Sequence, residues 1–362
     1  MQNATEENLH LPARGGGAAV GQRDSGRLET LDCLRGIAAF SVLWFHLTNG
    51  NSEFLPQGML KSSGTYGWLG VEVFFVISGF ILPYALRRAN YQPTDFFRFV
   101  WKRILRLDPP YLVCIAVVIV LNYASTLVPG FRGSPFQFDL TQVLLHLGYL
   151  NAFFNYEWAN PVFWTLAIEF QFYLLVALAF PLISHPAIVV RTAVCGLLAA
   201  AALLLPSENM VFRYLFLFLL GIWAFQIKAG LLRGAGIHAI GWALLAAGTW
   251  LTLGGLIALV GTATGLLIVH ARLNSRCLLF LGQISYSLYL LHAPVGGRVI
   301  NLGSRFAEGP LAQMAVLALA VGASVGAAFL FHRWVELPAQ RWSSSVRFRG
   351  SQPPAALPQT QT

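Results

Sequence analysis

Residues 67–86 read GWLGVEVFFVISGFILPYAL, twenty consecutive residues of which only Glu72 carries a charge. About 20 apolar residues are the length at which a helix crosses the hydrocarbon of a bilayer, because every backbone polar group must be bonded inside the segment. Nine further runs have similar character, at residues 31–48, 108–128, 161–183, 187–206, 209–227, 236–253, 255–271, 277–300 and 310–332. The sequence therefore predicts an all-α, polytopic integral membrane protein with about ten transmembrane helices.

The composition excludes the soluble classes of protein. Hydrophobic residues make up 56% of the 362 residues and charged residues only 11%, whereas soluble domains carry about 25% charged residues. Disorder and coiled coil do not fit, because aromatic residues reach 13% and apolar runs recur along the chain. The formal charge of +9 is spread over the loops rather than gathered in one patch, so the expected surroundings are a lipid bilayer and no nucleic acid.

The distribution of Lys and Arg predicts the orientation, because these residues favour the cytoplasmic side of short loops. An N-terminus inside the cell assigns 18 of them to the cytoplasm and 5 to the opposite face. We therefore expect both termini in the cytoplasm and a multi-pass protein of the inner (cytoplasmic) membrane.

Three domains follow from the same pattern: a flexible tail at 1–30, a membrane domain at 31–341 and a second flexible tail at 342–362. Residues 92–106 mix aromatic and basic side chains, which is typical of an interfacial amphipathic helix. Residues 139–154 are apolar but short, and are interpreted as interfacial or re-entrant. The pair 236–271 is expected to form a tight hairpin around Gly254 and Gly255.

Ionisable residues inside the membrane are costly and usually face a cavity or a partner. The first predicted helix carries Asp32 and Arg35 near its cytoplasmic end and His46 near its outer end. Eleven residues at about 100° each bring His46 back to the face of Arg35, about 16 Å along the axis. One cavity could hold both side chains; the alternatives are a snorkelling Arg and an interfacial His.

Other helices are predicted to bring polar groups to the depth of His46. Glu72 and Glu169 lie near the outer ends of the second and fourth predicted helices. The ninth presents a polar stripe at three- and four-residue spacing, consisting of Ser285, Tyr289 and His292 with Tyr286 beside it. Imidazoles, carboxylates and hydroxyls at one level suit general acid–base catalysis on an alcohol. A buried polar network that fixes helix packing is the alternative, and for Glu72 alone it is the favoured one.

The loop after the second predicted helix holds the densest positive charge, in Arg98, Lys102, Arg103 and Arg106. On a helix these side chains cover about half the circumference. Such a surface suits the phosphates of a ligand. Lipid headgroups suit it too, and a positive-inside loop needs no ligand.

Two other motifs carry no chemistry here. Gly322-Ala323-Ser324-Val325-Gly326 fits the G-x-S-x-G pattern of serine hydrolases, but that pattern requires a strand–turn–helix and here lies inside an apolar segment. The two glycines are expected to mark a close helix contact instead. The four cysteines are far apart in apolar segments, so no metal site is predicted.

In their order along the chain, several short motifs resemble those of the acyltransferase 3 family of integral-membrane acyltransferases, over about residues 31–341. The motifs are Leu31-Asp32-Cys33-Leu34-Arg35-Gly36-Ile37-Ala38-Ala39 leading to His46, Gly70-Val71-Glu72-Val73-Phe74-Phe75-Val76-Ile77-Ser78-Gly79-Phe80, Lys102-Arg103-Ile104-Leu105-Arg106, Phe163-Trp164-Thr165-Leu166 with Glu169, Phe172 and Tyr173, Ile284-Ser285-Tyr286-Ser287-Leu288-Tyr289-Leu290-Leu291-His292, and Glu336-Leu337-Pro338. Each motif is weak alone, whereas the ordered set is highly specific.

The resemblance implies transfer of an acyl group, usually acetyl, from cytoplasmic acyl-coenzyme A to a hydroxyl of a cell-surface glycan, glycolipid or related acceptor. Acyl-coenzyme A would be a co-substrate, with no permanently bound cofactor. The family's Arg and His on the first helix correspond to Arg35 and His46. Its basic motif corresponds to Lys102, Arg103 and Arg106.

The residues and the resemblance combine into one hypothesis. Coenzyme A phosphates would bind the basic cluster and Arg35, and His46 would act as general base on the acceptor hydroxyl, with Glu169 or Glu72 orienting it. An acyl-His intermediate is a variant of this scheme. Further residues expected to line the cavity are Asp32, Trp164, Ser285, Tyr286 and His292.

Two functions of other classes stay open from the sequence. Ten helices with intramembrane Glu, His and Arg also suit a transporter or flippase for a glycan or lipid-linked substrate. A scaffold without turnover is the third reading, but it leaves the alignment of His46, Glu169 and His292 unexplained.

Overall fold

The structure is a computed structural model that describes residues 17–129 and 136–348. Within these ranges every regular element is a helix, which confirms the all-α prediction. In chain order the α-helices are α1 (Gly17–Asn49), α2 (Met59–Gly64), α3 (Gly70–Arg88), α4 (Phe96–Thr126), α5 (Leu140–His146), α6 (Phe163–Ile183), α7 (Ile188–Leu204), α8 (Leu215–Lys228), α9 (Ala235–Leu253), α10 (Gly255–His270), α11 (Arg276–Gln283), α12 (Ser285–Leu291), α13 (Gly297–Gly303), α14 (Pro310–Phe331) and α15 (Leu337–Ser345).

The described helices make this a multi-pass membrane protein. Seven of them, some with an adjoining short helix, are long and apolar enough to cross a bilayer. A bent pair, α11 with α12–α13, and the shorter apolar helices α7 and α10 coincide with the remaining predicted segments. The count of ten and the orientation of the termini stay predictions.

Helix bounds differ from the predicted ones at both ends of the membrane domain. Helix α1 begins at Gly17, and the part of it that is apolar enough to cross a bilayer is Glu29–Asn49. The rest of the predicted N-terminal tail lies outside the described residues. At the other end α15 extends to Ser345, and the hydroxyl of Ser343 donates to the carbonyl of Lys102 at 2.8 Å. This part of the predicted C-terminal tail is therefore docked on α4.

The predicted interfacial helix and the third predicted span are one continuous helix, α4. Pro109 and Pro110 lie inside it. Because proline has no N–H, the carbonyls of Leu105 and Arg106, four residues earlier, lose their usual helical donors. The helix nevertheless continues for 31 residues, so the basic residues of the loop prediction sit on the same rigid element as the span.

A close contact between backbones joins α3 and α8 through two glycines. A Cβ added to Gly79 would lie 2.2 Å from the carbonyl oxygen of Phe218, and one added to Gly221 would lie 2.1 Å from that of Val76. Small residues let helix backbones approach closely in membranes. This contact seats α8, whose residues 215–226 are all buried, in the centre of the bundle.

The expected close contact at Gly322 and Gly326 is wrong. A Cβ built at either position would meet no described atom within 4 Å. The buried Ser324 between them donates its hydroxyl to the carbonyl of Ala320 in its own helix, at 2.8 Å.

The predicted hairpin of α9 and α10 is confirmed: the two helices join at Gly254, whose φ of 93° lies in the left-handed region that glycine tolerates.

Candidate active site

A cavity of about 350 Å³ lies among α1, α3, α4, α6 and α12. Seven of the predicted site residues line it, namely Asp32, Arg35, Arg103, Arg106, Glu169, Ser285 and Tyr286. Tyr289, from the predicted polar stripe, lines it as well. Apolar side chains such as Val71, Phe74 and Ile77 complete its wall. The cavity is thus polar in parts and apolar along its length, as a site for an elongated amphipathic ligand requires.

Three guanidinium groups converge on one part of this cavity. Arg35 faces Asp32 at 3.9 Å, and Arg106 lies within electrostatic range of Arg35. Arg103 lies over the rings of Phe99 and Tyr173, 5.2 Å and 5.3 Å from their centroids. Its Nε is buried and has no hydrogen-bond partner among the described residues. Such a cluster could bind an anion, since guanidinium donors match phosphate oxygens.

Glu169 belongs to this basic part of the cavity. Its Oε1 accepts a hydrogen bond of 2.7 Å from the hydroxyl of Ser78, and its charge acts on both Arg103 and Arg106. The sequence instead predicts that Glu169 lies at the same membrane depth as His46. His46 is not part of the cavity wall. The carboxylate therefore lies within electrostatic range of two of the arginines.

Glu336 is a cavity residue to which the sequence reasoning gave no role. Its Oε2 accepts hydrogen bonds from the hydroxyl of Ser287 at 2.6 Å and from Nδ1 of His332 at 2.9 Å. Its Oε1 accepts one from Gln340 at 2.8 Å. It lies in a π-helical turn, His332–Glu336, that continues α14. The sequence predicts that the tenth span ends at 332, before Glu336. The motif Glu336-Leu337-Pro338 is the sequence feature that could have pointed to this residue.

An aromatic layer closes the cavity at its far end. The rings of Phe74 and Tyr289 meet edge to face with centroids 5.8 Å apart. The Tyr289 hydroxyl lies 2.7 Å from that of Thr165. On the other side of this layer the ring of His292 is 5.9 Å from Tyr289 and 5.0 Å from His46. The structure thus brings the two predicted histidines together, separated from the arginine cluster by one layer of side chains.

The fold fixes the tautomer of His292. Its Nδ1 lies 3.0 Å from the carbonyl oxygen of Leu288. A carbonyl can only accept, so Nδ1 carries the proton and Nε2 keeps a lone pair. That Nε2 is buried and has no partner among the described residues. Its closest ring neighbour is His46, which is only partly buried. A bare buried acceptor is costly unless a donor reaches it, so His292 is prepared to receive a hydrogen bond.

A π-helical turn, His292–Gly296, holds this histidine at the end of α12. Pro294 lies in the turn and has no N–H, so the carbonyl of Leu290 lacks a helical donor. The side-chain amide of Asn160 donates to this carbonyl at 2.9 Å, and the thiol of Cys114 lies 3.4 Å from it. The loop before α6 and helix α4 are thereby tied to the turn that carries His292.

We expect Asn160→Ala to lower the free energy of unfolding by about 1–3 kcal/mol, because it leaves the buried carbonyl of Leu290 with a weak thiol donor alone. Thermal unfolding of the detergent-solubilised protein measures the change. Asn301→Ala is the matched control, since Asn301 is exposed and its Oδ1 accepts from the side chain of Asn51 near the surface. Equal melting temperatures for the two variants would contradict this role of Asn160.

Lys102 and Trp164, like the two histidines, lie outside the cavity lining. The ammonium of Lys102 donates to the carbonyl of Val346 at 3.1 Å and lies over the ring of Phe348. The ring of Trp164 packs against those of Phe75 and Tyr214, at 6.5 Å and 5.6 Å. Both side chains therefore hold neighbouring segments together around the site.

Glu72 is also apart from the cavity lining. It is buried in the first turn of α3, and its Oε2 has no hydrogen-bond partner among the described residues. The positive end of the helix dipole favours a carboxylate there. Within the described part of the chain, neither Glu72 nor Glu169 has a hydrogen bond or ion pair with His46. The ring neighbours described for His46 are Phe45 and His292.

Comparison with known proteins identifies a family for most of the chain. The family model described as acyltransferase domain matches residues 28–333. The chain is 26% identical to O-acetyltransferase OatA of Staphylococcus aureus, over 87% of this chain and 57% of that protein, so it spans little more than half of this relative. It is 27% identical to acyltransferase MdmB of Streptomyces mycarofaciens, over 87% of this chain and 92% of that protein.

The chain is also 28% identical to a membrane-bound transacylase, BcsY, of Komagataeibacter xylinus, over 74% of this chain and 72% of that protein. No solved structure matches. The family match extends from the start of the first span to the π-helical turn that holds Glu336, and so includes every residue of the cavity except Glu336 itself. The chain belongs to the acyltransferase 3 family of membrane proteins.

Proposed function

We propose that this protein is a membrane-bound O-acyltransferase that moves an acyl group, acetyl in the simplest case, from cytoplasmic acyl-coenzyme A to a hydroxyl of a cell-surface glycan or glycolipid. One observation carries the proposal: a cavity with three arginines at one end stops at an aromatic layer, behind which two histidines meet. The relatives are named as an O-acetyltransferase, an acyltransferase and a transacylase.

The donor would enter from the basic end of the cavity. Its phosphates pair with Arg35, Arg103 and Arg106, for which bidentate guanidinium contacts are the strongest available. The uncharged pantetheine arm then follows the apolar wall at Phe74 and Ile77. In the orientation predicted from the Lys and Arg bias, this end faces the cytoplasm, where acyl-coenzyme A is made, and the protein lies in the inner membrane.

His46 acts as the general base in this scheme. It removes the proton from the acceptor hydroxyl as the oxygen attacks the thioester carbonyl, and the tetrahedral oxyanion collapses by expelling the coenzyme A thiolate. The imidazolium of His46 returns its proton to that thiolate, so the products are the ester and free coenzyme A. Passage of the thioester past Tyr289 requires this side chain to move.

His292 takes the orienting part that the sequence hypothesis gave to a carboxylate. Besides the acceptor hydroxyl and the histidine base, such a site needs a group that holds the ring of the base and stabilises its protonated form. The lone pair on Nε2 of His292 lies next to the ring of His46, so a donating N–H of His46 is its natural partner. Glu169 and Ser78 instead keep the arginines of the donor site in place.

Donor binding provides the direct test. Acetyl-coenzyme A is expected to raise the melting temperature of the purified protein, because a ligand bound only by the folded state at a hundredfold excess over its Kd adds about 2.7 kcal/mol. Acetyl-pantetheine, which lacks the phosphates, should stabilise much less. The double variant Arg103→Ala/Arg106→Ala should lose the response to acetyl-coenzyme A.

Arg341→Gln is the matched control, since this exposed arginine of α15 lies outside the cavity lining. It should respond like the unsubstituted protein. If neither acetyl-, succinyl- nor longer acyl-coenzyme A raises the melting temperature of the folded protein, the proposal is wrong and a transporter function is favoured. If acetyl-pantetheine stabilises as strongly as the full donor, the assignment of the arginines to phosphate is wrong.

A further inference from the structure

A second cavity, of about 690 Å³, lies next to the turn that carries His292. It lies at the end of the bundle where α1 ends, since Asn51, just after α1, donates to Asn301 of its wall at 3.0 Å. We name it the outer groove; the end of α4, helix α5, the loop before α6 and the turn into α13 form its walls. Ala293, which directly follows His292, lines its inner side. The outer groove therefore reaches the residue after His292, and the arginine-lined cavity reaches Tyr289, three residues before it.

Hydrogen bonds fix the wall of the outer groove. The side chain of Gln142 donates to the carbonyl of Glu157 at 2.9 Å. The backbone N–H of Ala159 donates to Nε2 of the fully buried His146 at 3.2 Å, while Nδ1 of this ring lies 2.7 Å from the carbonyl of Gln142. Burial lowers the pKa of His146, which keeps the ring neutral and able to accept. The loop before α6 is thereby held at a set distance from α5.

The arginine of the outer groove is already bonded. The guanidinium of Arg298 donates to the carbonyl of Pro294 at 2.7 Å, to Oδ1 of Asn122 at 2.5 Å and to the hydroxyl of Ser125 at 3.3 Å. These bonds join α13, α4 and the π-helical turn. Arg298 is the only Lys or Arg among the described residues that line the groove. The groove thus offers few hydrogen-bond donors to a phosphate or sulfate, whereas the arginine-lined cavity has three arginines that can bind an anion.

Hydrogen-bond acceptors and aromatic faces are what the outer groove offers instead. Asp139 and Glu157 line it, and no described residue donates to the carboxylate of Glu157. Phe136, Phe138 and Trp158 line it as well. A sugar ring presents O–H donors at its edge and C–H groups on its faces, which match ionised carboxylates and aromatic rings respectively. A ligand carrying its own negative charge would meet two carboxylates.

We infer that the outer groove is the acceptor subsite and binds an uncharged, polyhydroxylated glycan chain in preference to a phosphorylated or acidic one. The inference rests on the proposed function, because the histidine pair at the inner side of the groove is what makes a bound hydroxyl an acceptor. Trp158 packs on a sugar ring, and Glu157 accepts hydrogen bonds from its hydroxyls. Arg298 is a positioning residue that holds the turn between groove and histidines.

Saturation-transfer NMR tests the subsite without any need for turnover. The purified protein, in a detergent without a sugar headgroup, is mixed with maltohexaose, cellohexaose or chitotetraose, and separately with glucose 1-phosphate. We expect saturation transfer to at least one neutral oligosaccharide and none above background to the phosphorylated sugar. Glu157→Gln should weaken binding about tenfold, the loss of one hydrogen bond to a charged group. Trp158→Ala should weaken it by about the same factor, because the aromatic face that packs on the sugar ring is lost. Glu308→Gln, an exposed carboxylate outside the groove lining, should bind like the unsubstituted protein.

The inference is overturned if none of the three neutral oligosaccharides binds at millimolar concentration, if the Trp158 and Glu157 variants bind as the unsubstituted protein does, or if glucose 1-phosphate binds better. The proposed function fails separately. Binding of a neutral oligosaccharide that depends on Trp158, in a protein that acetyl-coenzyme A does not stabilise, would support the groove and refute the acyltransferase. Glu157→Gln keeps the size of the side chain, so this variant reports on binding even if Trp158→Ala folds poorly.

Discussion

Replacement of His46 by alanine is expected to lower the rate of acyl transfer by about 10²–10⁴-fold, the usual contribution of general acid–base catalysis. The acceptor hydroxyl then keeps its proton as it attacks, because His292 on the far side of the pair lies deeper and is fully buried. The readout is the O-acetyl content of envelope glycans, released by mild alkali from cells that express each variant at equal membrane levels.

Donor binding separates this loss from misfolding. Because His46 is not part of the arginine-lined cavity wall, His46→Ala should still be stabilised by acetyl-coenzyme A. His46→Gln, which keeps a polar side chain of similar length, should be inactive as well. The matched control is His270→Ala, since His270 is exposed at the end of α10. A His46→Ala protein that retains the unsubstituted transfer rate would refute the assignment of the base.

Replacement of Gly221 by leucine is expected to prevent stable folding. Its Cβ alone would lie 2.1 Å from the carbonyl oxygen of Val76 and 2.7 Å from the backbone of Gly79. Both atoms belong to the backbone of α3, so neither helix can yield without the pair moving apart. Overpacking of a rigid core typically costs about 1–3 kcal/mol of stability and occasionally more. A side chain forced between two helix backbones is expected to cost at least the upper value of this range. The measurement is the yield of monodisperse protein and its melting temperature.

Gly322→Ala provides the matched control for this prediction. It also lies in an apolar helix, but a Cβ there meets no described atom within 4 Å. Alanine is favoured over glycine in a helix by about 1 kcal/mol, so this variant should be at least as stable as the unsubstituted protein. Equal yields of Gly221→Leu and Gly322→Ala would show that the contact between α3 and α8 is not required for folding.

The location of the spans could be predicted because the length of an apolar run is a local property of the chain. Residues 67–86 and the runs like them need no partner to reveal a helix of membrane length. The arginines of the cavity among α1, α3, α4, α6 and α12 could be predicted for a related reason. A charge inside or beside such a run requires a cavity, a partner or the membrane surface, and Arg35, Arg103 and Arg106 meet in one cavity.

Helix bends were beyond the reach of the sequence. Periodicity extends the ninth span as one straight rod, whereas α11 and α12 meet at 62° and a π-helical turn follows. Glu336 likewise lies in a turn after the expected end of the tenth span. At the turn after α12, Pro294 removes a helical donor from the carbonyl of Leu290 and the side chain of Asn160 replaces it. Asn160 is far from Leu290 in the chain, so periodicity does not reveal this exchange.

The sequence by itself determined that the chain is a bundle of apolar helices carrying arginines, carboxylates and histidines. The tertiary structure alone decided which of these side chains meet. Depth counted along separate helices placed both Glu169 and His292 at the level of His46. The packing of the helices set Glu169 beside the arginines and left His292 next to His46. The physical reason is that burial in lipid constrains each helix by itself, whereas rotation, tilt and register are fixed only by contacts such as Gly79 with Gly221.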